Sequence, residues 1–306
     1  MADITLSDAV RSNLLSLQNT QGLIDRTQSR LSTGLKVASP VDDAVKFFQA
    51  ESLSNRATSL LERKSAVDQG IQALDATLKA LESIEDFSSQ LKGLVDSARS
   101  ADDAQRAELQ TQVNELAKQI EKLIADATYQ GLNLLNSSAS KLSVRFSDKS
   151  DSKLEVTGID INPSALYRNS LGTGFVGQTL DASQANFVES FLGFGQSFEG
   201  YDLTDATELA SFNAHADVAI SRLDSTISYL QAKAGSMANN VAILQVRSDF
   251  TQEYVDVLDT GAGKLTVADL NEEGANLLAL QTRQQLGIQS LAFAGQAEQS
   301  ILGLFR

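Results

Sequence analysis

The side chains able to do chemistry are few and scattered. His215 is the sole histidine, and the chain has no cysteine. A disulfide framework, a thiolate metal site and a thiolate nucleophile are therefore excluded. No serine–histidine–carboxylate triad is spelled out around His215, which reads as a histidine without catalytic duty. Gly172-Thr173-Gly174-Phe175-Val176-Gly177 has the G-x-G-x-x-G spacing. That spacing holds a pyrophosphate only between a strand and a helix that opens on it. Neither flanks this copy, so a flexible loop is expected. Adjacent carboxylates at Asp42-Asp43 and Asp102-Asp103 could serve as metal ligands. Both pairs, however, fall where helices should begin, and acids there complement the positive end of the helix dipole. No metal or cofactor is expected, and nothing here composes an enzyme active site.

Apolar side chains at helical spacing dominate the segments that carry these residues. The chain has 306 residues, a net charge of −14 and only two prolines, Pro40 and Pro163. Its length allows two or three domains. Its acidity argues against nucleic acid and anionic membrane surfaces as partners. Met1 to Arg30 has no apolar core of secretory type, and no stretch approaches the roughly 20 apolar residues of a membrane span.

The two ends are the organising elements. Val10, Leu17, Ile24 and Leu31 recur every seven residues, and Leu14, Gln21, Gln28 and Leu35 form a second series. Two such series are the seam of a coiled coil, weakened here by glutamines. Near the C-terminus, Leu270, Leu277, Ile288, Leu291, Leu302 and Phe305 are spaced to line one side of a helix that also carries Gly274, Gly287, Gly295 and Gly303. Each glycine costs about 1 kcal/mol relative to alanine, so this helix needs a partner. The simplest account pairs the two terminal helices and leaves part of each stripe for neighbouring molecules.

Between the ends, Ser32-Thr33-Gly34 signals a turn. Ser39-Pro40-Val41-Asp42 signals a helix start, with Ser39 as cap and Pro40 at the first helical position. A 3/4 apolar period runs through Val67, Ile71, Leu74, Leu78, Leu81, Ile84, Phe87, Leu91, Leu94 and Ala98. After a break at residues 101–103 it resumes with Leu109, Val113, Leu116, Ile120, Leu123 and Ala127. Gly131 suits the left-handed residue beyond a helix end. The period then falls to two at Leu142, Val144, Phe146, Leu154 and Val156, which predicts a β-hairpin across Ser147–Ser152.

From Asn169 to Ser221 there is no lysine or arginine. This segment reads as an irregular acidic excursion whose phenylalanines, Phe175, Phe187, Phe191, Phe194 and Phe198, cover the hairpin. Another long helix should start near Asp205, with Glu208 as capping partner. Its seam is Ile220, Leu223, Ile227, Leu230, Ala234, Met237, Val241 and Leu244, and Gly261 and Gly263 should stop it. The expected fold is mainly α: a long antiparallel helical coiled-coil rod with paired N- and C-terminal helices and a small hairpin-containing middle. A closed bundle, a signalling coiled coil and a polymer all fit heptads of this kind. Unburied stripes on both termini point to the polymer, because contacts joining different faces repeat without closing.

Several separated motifs resemble bacterial flagellins. Arg30-Leu31-Ser32-Thr33-Gly34-Leu35-Lys36-Val37, followed by Asp42-Asp43-Ala44, is similar to that family's N-terminal signature. So are Thr128-Tyr129-Gln130-Gly131-Leu132-Asn133-Leu134-Leu135 and, in the C-terminal helix, Ala268–Asn276 with Gln284-Gln285-Leu286-Gly287. The resemblance covers about residues 1–137 and 205–306. It implies a subunit of the flagellar filament, exported unfolded through the type III apparatus without a cleaved signal peptide and polymerised under a cap.

Its partners would be itself, an export chaperone, the filament cap and the hook–filament junction proteins. The implied plan is an N-terminal inner-core helix (1–38), long rod helices (39–140), a solvent-facing segment (141–204), a C-terminal rod helix (205–262) and a C-terminal inner-core helix (263–306). Subunit contacts are expected at Val10, Leu14, Leu17, Ile24, Leu31, Leu270, Leu277, Ile288, Leu291, Leu302 and Phe305. The competing readings are a hook–filament junction protein and a non-flagellar signalling coiled coil.

Overall fold

The computed structural model describes residues 8–147, 151–161, 192, 194, 197–202 and 204–304. The G-x-G-x-x-G segment and Phe175, Phe187 and Phe191 lie outside them. The described residues belong to two compact units, one from Met1–Ser59 with Tyr254–Arg306, the other from Leu60–Glu253. The elements are α1 (Asp8–Thr33), α2 (Ala44–Ser97), α3 (Asp103–Asp126), β1 (Thr128–Tyr129), β2 (Leu132–Asn133), β3 (Lys141–Arg145), β4 (Lys153–Thr157), a short 3₁₀ turn (Phe198–Gly200), α4 (Ala206–Thr266) and α5 (Leu270–Leu304). The mainly α architecture with small antiparallel hairpins is the expected one. Helices α2 and α4 supply residues to both units.

In the unit Leu60–Glu253, the apolar periods of α2, α3 and α4 become one core. Leu74, Leu81, Ile84 and Leu91 of α2 meet Val113, Ile120 and Ile124 of α3 and Leu223, Leu230 and Leu244 of α4, with Val144 and Val156 from the hairpin. Burying each such side chain contributes about 1.5–3 kcal/mol, which supplies what isolated helices lack. Polar rungs fix the register. Gln231 donates to Glu85, Lys92 pairs with Asp224, and Arg99 pairs with Asp217. Every advance of seven residues along α2 and into the turn that follows it is matched by a retreat of seven on α4, as in an antiparallel coiled coil. Exposed ion pairs contribute only about 0–1 kcal/mol each, so these rungs specify alignment more than stability.

The hairpin forms as the period-two pattern predicts, with Val144 opposite Leu154 and Leu142 opposite Val156. Val144 and Val156 face the core while Lys141, Ser143, Arg145, Lys153, Glu155 and Thr157 are exposed. A second, shorter hairpin, β1–β2, corrects the expectation for Gly131. Helix α3 ends at Asp126, and Gly131 instead closes a two-residue turn in which Gln130 (φ 49°) and Gly131 (φ 82°) are both left-handed. That is the turn whose twist matches a hairpin.

Three helix boundaries differ from the sequence expectation. The cap of α2 is Asp43, whose carboxylate accepts from the Lys46 N–H at 3.1 Å. Ser39 does not cap. Its N–H and hydroxyl both donate to Asp42, and Pro40 lies in the Ser39–Asp42 turn, where its fixed φ is equally suited. At α4, Asp205 accepts from the Thr207 N–H, but Glu208 reaches past it to the Asp202 N–H at 2.6 Å. The Asp205 N–H is already bonded to the Asp202 carbonyl. Finally, α4 does not stop at Gly261 and Gly263 but continues to Thr266. The two glycines cost about 1 kcal/mol each. Against this, Val255 and Leu258 are buried on the same segment, and the Arg56 guanidinium stacks 5.4 Å from the Tyr254 ring centre.

Candidate assembly interface

Helices α1 and α5 lie antiparallel within the Met1–Ser59/Tyr254–Arg306 unit. Gly34, at φ +71°, ends α1, and Leu35 pairs with Val267 in a one-bridge ladder. The Ala268 N–H donates to the Gly34 carbonyl, and the Thr266 carbonyl accepts from Lys36 and Val37. The chain thus reverses beside its own turn. Asp269 then opens α5 by accepting from the Asn271 N–H at 2.9 Å. In the α1–α2 connection, the Ser39 hydroxyl and N–H, with the Ala38 N–H, hold the Asp42 carboxyl below the usual carboxylate range. Asp43 is held low by the Lys46 backbone and side chain. The paired acids are therefore turn and capping groups.

The seam of α1 runs through Val10, Asn13, Leu17, Thr20, Ile24, Thr27 and Leu31, alternating by three and four, each buried or half-buried. The first expected series is present. The second, Leu14, Gln21, Gln28 and Leu35, is not the buried one. Its place belongs to Asn13, Thr20 and Thr27, while Leu14 is 42% exposed. The helix satisfies a threonine locally, since the Thr20 hydroxyl donates to the Ser16 carbonyl at 2.8 Å. A small polar residue can therefore lie in the seam without leaving its hydroxyl unpaired.

The facing seam on α5 is Glu273, Leu277, Leu280, Gln284, Gly287, Leu291 and Ala294. A Cβ at Gly287 would lie 3.0 Å from Leu17 Cδ2, so the Leu17 side chain packs directly on the space the glycine leaves open. Polar rungs again mark the register: Arg30 to Glu273 at 2.9 Å, Gln284 to Gln21 at 2.7 Å and Asn13 to Ser290 at 3.3 Å. Glu273 is a buried acid. Sequence reasoning missed the Arg30–Glu273 pair although both residues stood in motifs already noted. The available signal was an acid and a base, each on the apolar side of its own helix.

Of the expected contact residues, Val10 and Ile24 are buried and Leu17, Leu31, Leu277 and Leu291 half-buried in this intramolecular seam. Leu14, Leu270 and Ile288 are 42%, 52% and 56% exposed. The C-terminal set therefore does not share one environment. Leu270 is the first helical residue, and Ile288 flanks the seam beside Gly287. Leu302 is in the last turn of α5, and Phe305 lies outside the described residues. Helices α1 and α5 also leave Leu15, Leu23, Leu278, Leu286 and Phe293 41–69% exposed. A groove of about 570 Å³ runs between the helices, lined by Leu23, Arg26, Leu280, Arg283 and Leu286 among others.

His215, the histidine singled out from sequence, sits in the other unit. Its Nδ1 is 3.1 Å from the Tyr201 hydroxyl, which itself donates to the Phe194 carbonyl. Phe194, Phe198, Tyr201 and Phe212 interlock there, mostly edge to face. Arg106, fully buried, donates to the Phe198 and Tyr201 carbonyls at 2.9 and 2.8 Å and pairs with Asp103. Phe194 and Phe198 therefore pack with Phe212 of α4, and the Phe198 backbone is held on α3. The expected cover over the hairpin is not their role. Asp102 caps α3 in a reciprocal capping box with Gln105. Among the described residues no group of three or more His, Cys, Asp or Glu could hold a metal ion, and no helix is long and apolar enough to cross a membrane.

Residues 7–140 match the family model for the bacterial flagellin N-terminal helical region. The chain is 30% identical over 298 residues to Flagellin FljK of Caulobacter vibrioides, covering 96% of each. It is 28% identical to a flagellin of Brucella melitensis biotype 1 over the full length of both. The solved structure of a provisionally assigned flagellar hook-associated protein from Vibrio parahaemolyticus shares the fold, with a TM-score of 0.56 at 13% identity, covering 74% of this chain and 100% of that one. That family is structural and not enzymatic, and the filament it forms is extracellular. A full-length relative at 30% identity, joined to a helical pair with uncovered apolar faces, places this chain among the bacterial flagellins, the structural subunits of the flagellar filament.

Proposed function

We propose that this flagellin polymerises through the faces that α1 and α5 leave open when they pair with each other. The observation that carries this is the set Leu14, Leu15, Leu23, Leu278, Leu286, Ile288 and Phe293, each 41–69% exposed on those two helices. Fully burying one such side chain is worth about 1.5–3 kcal/mol, so covering several offsets an association cost of about 4–15 kcal/mol. The expected contacts at Val10, Leu17, Ile24, Leu31, Leu277 and Leu291 act in this scheme by aligning the intramolecular pair. Leu14, Leu270, Ile288, Leu302 and Phe305 reach neighbouring subunits.

The same proposal assigns residues 1–38 and 263–306 to the inner filament core, 39–140 and 205–262 to the surrounding helical layer, and 141–204 to the solvent-facing surface. Export runs unfolded through the flagellar type III apparatus. An export chaperone, the filament cap and the hook–filament junction proteins are the partners. A chain without cysteine has no disulfide to obstruct unfolded transit. Helices with glycine-rich, partly polar seams also have little stability alone.

Deleting Leu277–Arg306 tests the reading. Electron microscopy should find no filaments from the truncated chain, while circular dichroism retains the helices of the Leu60–Glu253 unit. Filaments from that truncation would overturn it.

A further inference from the structure

We infer that the groove between α1 and α5 receives the patch Val246, Asp249, Phe250 and Glu253 on α4 of a second copy of this chain. The inference rests on the filament reading and specifies the two faces of one subunit contact. In a chain of net charge −14, the groove gathers Arg26, Arg30 and Arg283. Glu273 engages Arg30. Arg26 and Arg283 are exposed and have no polar partner among the described residues. Leu23 and Leu286 beside them are 41% and 61% exposed. Two guanidinium groups flanking an apolar floor call for carboxylates carried on an apolar surface.

The patch on α4 has that composition. Residues 246, 249, 250 and 253 stand at i, i+3, i+4 and i+7, which places them on one helix face. Val246 is 68% and Phe250 55% exposed. Asp249 and Glu253 are exposed carboxylates without a polar partner among the described residues, about 6 Å apart along the helix axis. Two leucines and two arginines thus meet a valine, a phenylalanine and two carboxylates. Groove and patch are different surfaces, so the contact is heterologous. Such contacts propagate into an open helical array, whereas a self-complementary face would close as a dimer.

The test is seeded elongation of the full-length chain, followed by light scattering, with circular dichroism confirming helicity. Reversing either side alone, as R26E/R283E or D249R/E253R, should slow elongation at least about tenfold, because like charges would then face each other. Combining all four substitutions should restore elongation. Undiminished elongation by both single-sided variants, or no recovery in the four-fold variant at native helicity, would overturn the contact. A second variant, D249C/R283C, places the chain's only two thiols across the proposed contact. A short bismaleimide should link it into a ladder of multimers, and linkage confined to monomers, or none, would overturn the contact. Failure of the unaltered chain to elongate seeds would sink the filament reading itself, while the linkage experiment would still decide the contact.

Discussion

Arg30 donates through Nη1 to Glu273 Oε1 at 2.9 Å, joining the last turn of α1 to the first turn of α5 across 243 positions of sequence. Glu273 is the more enclosed partner, its side chain 8% exposed against 26% for Arg30. The bond lies beside the Leu35–Val267 bridge, where the two chain ends begin to run together.

Glu273→Ala should therefore loosen the whole α1–α5 pair by about 1–3 kcal/mol, the cost of stranding a charged group at a largely buried site. Hydrogen exchange of the α1 amides should accelerate by roughly fivefold to a hundredfold. Replacing both partners, as R30M/E273L, should recover much of the loss, because two apolar groups leave no unpaired charge. Unchanged α1 exchange in Glu273→Ala would remove the pair from any role in alignment.

Glycines on α5 should divide by position. A Cβ added at Gly274 would meet nothing within 4 Å, so Gly274→Ala should stabilise the helix by up to about 1 kcal/mol. At Gly287 the Cβ would already press on Leu17 at 3.0–3.1 Å. Gly287→Leu should force α1 and α5 apart at a cost of about 1–3 kcal/mol. Thermal unfolding of the two variants should move in opposite directions; equal shifts would mean that the close approach at Leu17 carries no weight.

Arg106→Met should destabilise the Leu60–Glu253 unit more than any exposed ion-pair deletion. It strips the donors from two carbonyls, those of Phe198 and Tyr201, at about 1–3 kcal/mol each when buried. The thermal midpoint should fall by about 5–10 °C. Arg106→Lys should recover less than half, since one ammonium cannot reproduce a planar fork. A midpoint shift no larger than that of Lys92→Met would show that the guanidinium is dispensable.

The same unit should weaken in alkali. Burial, with the nearby Glu208 carboxylate, pushes the Tyr201 phenol above its ordinary pKa of 10.0, and burial does the same to Tyr229. A raised folded-state pKa means that the unfolded chain loses its proton first. The stabilising contribution is thus complete below pH 10 and declines as pH rises through the folded value. Chemical denaturation between pH 8 and 12 should show falling stability in the native chain. Tyr201→Phe should be less stable at pH 8, lacking the bond to the Phe194 carbonyl, yet decline less steeply. Parallel slopes would assign the alkaline loss elsewhere.

Periodicity alone sufficed for the mainly α class, the long seams of α2, α3 and α4, and the β3–β4 hairpin. Each rests on a spacing repeated often enough that the core takes up nearly every expected position from Val67 to Ala98 and from Ile220 to Leu244, the exception being Ile227, where the neighbouring Thr226 is the buried residue. The flagellin resemblance was equally legible, because its motifs sit in the segments that build these elements. Long-range packing settled the remainder. Leu14 and Thr20 both recur at heptad spacing with their neighbours, and hydrophobicity favours Leu14. The tertiary pairing reverses that preference: α5 lies against the Thr20 side of α1, where the Thr20 hydroxyl is satisfied by the Ser16 carbonyl, and Leu14 is left outside the seam. Gly131 and Gly261 were ambiguous for the same reason: a glycine permits a left-handed turn or a continuing helix, and its partners choose. The Arg30–Glu273 and Arg106–Phe198 contacts join residues 243 and 92 positions apart, and no local pattern encodes which distant group will arrive.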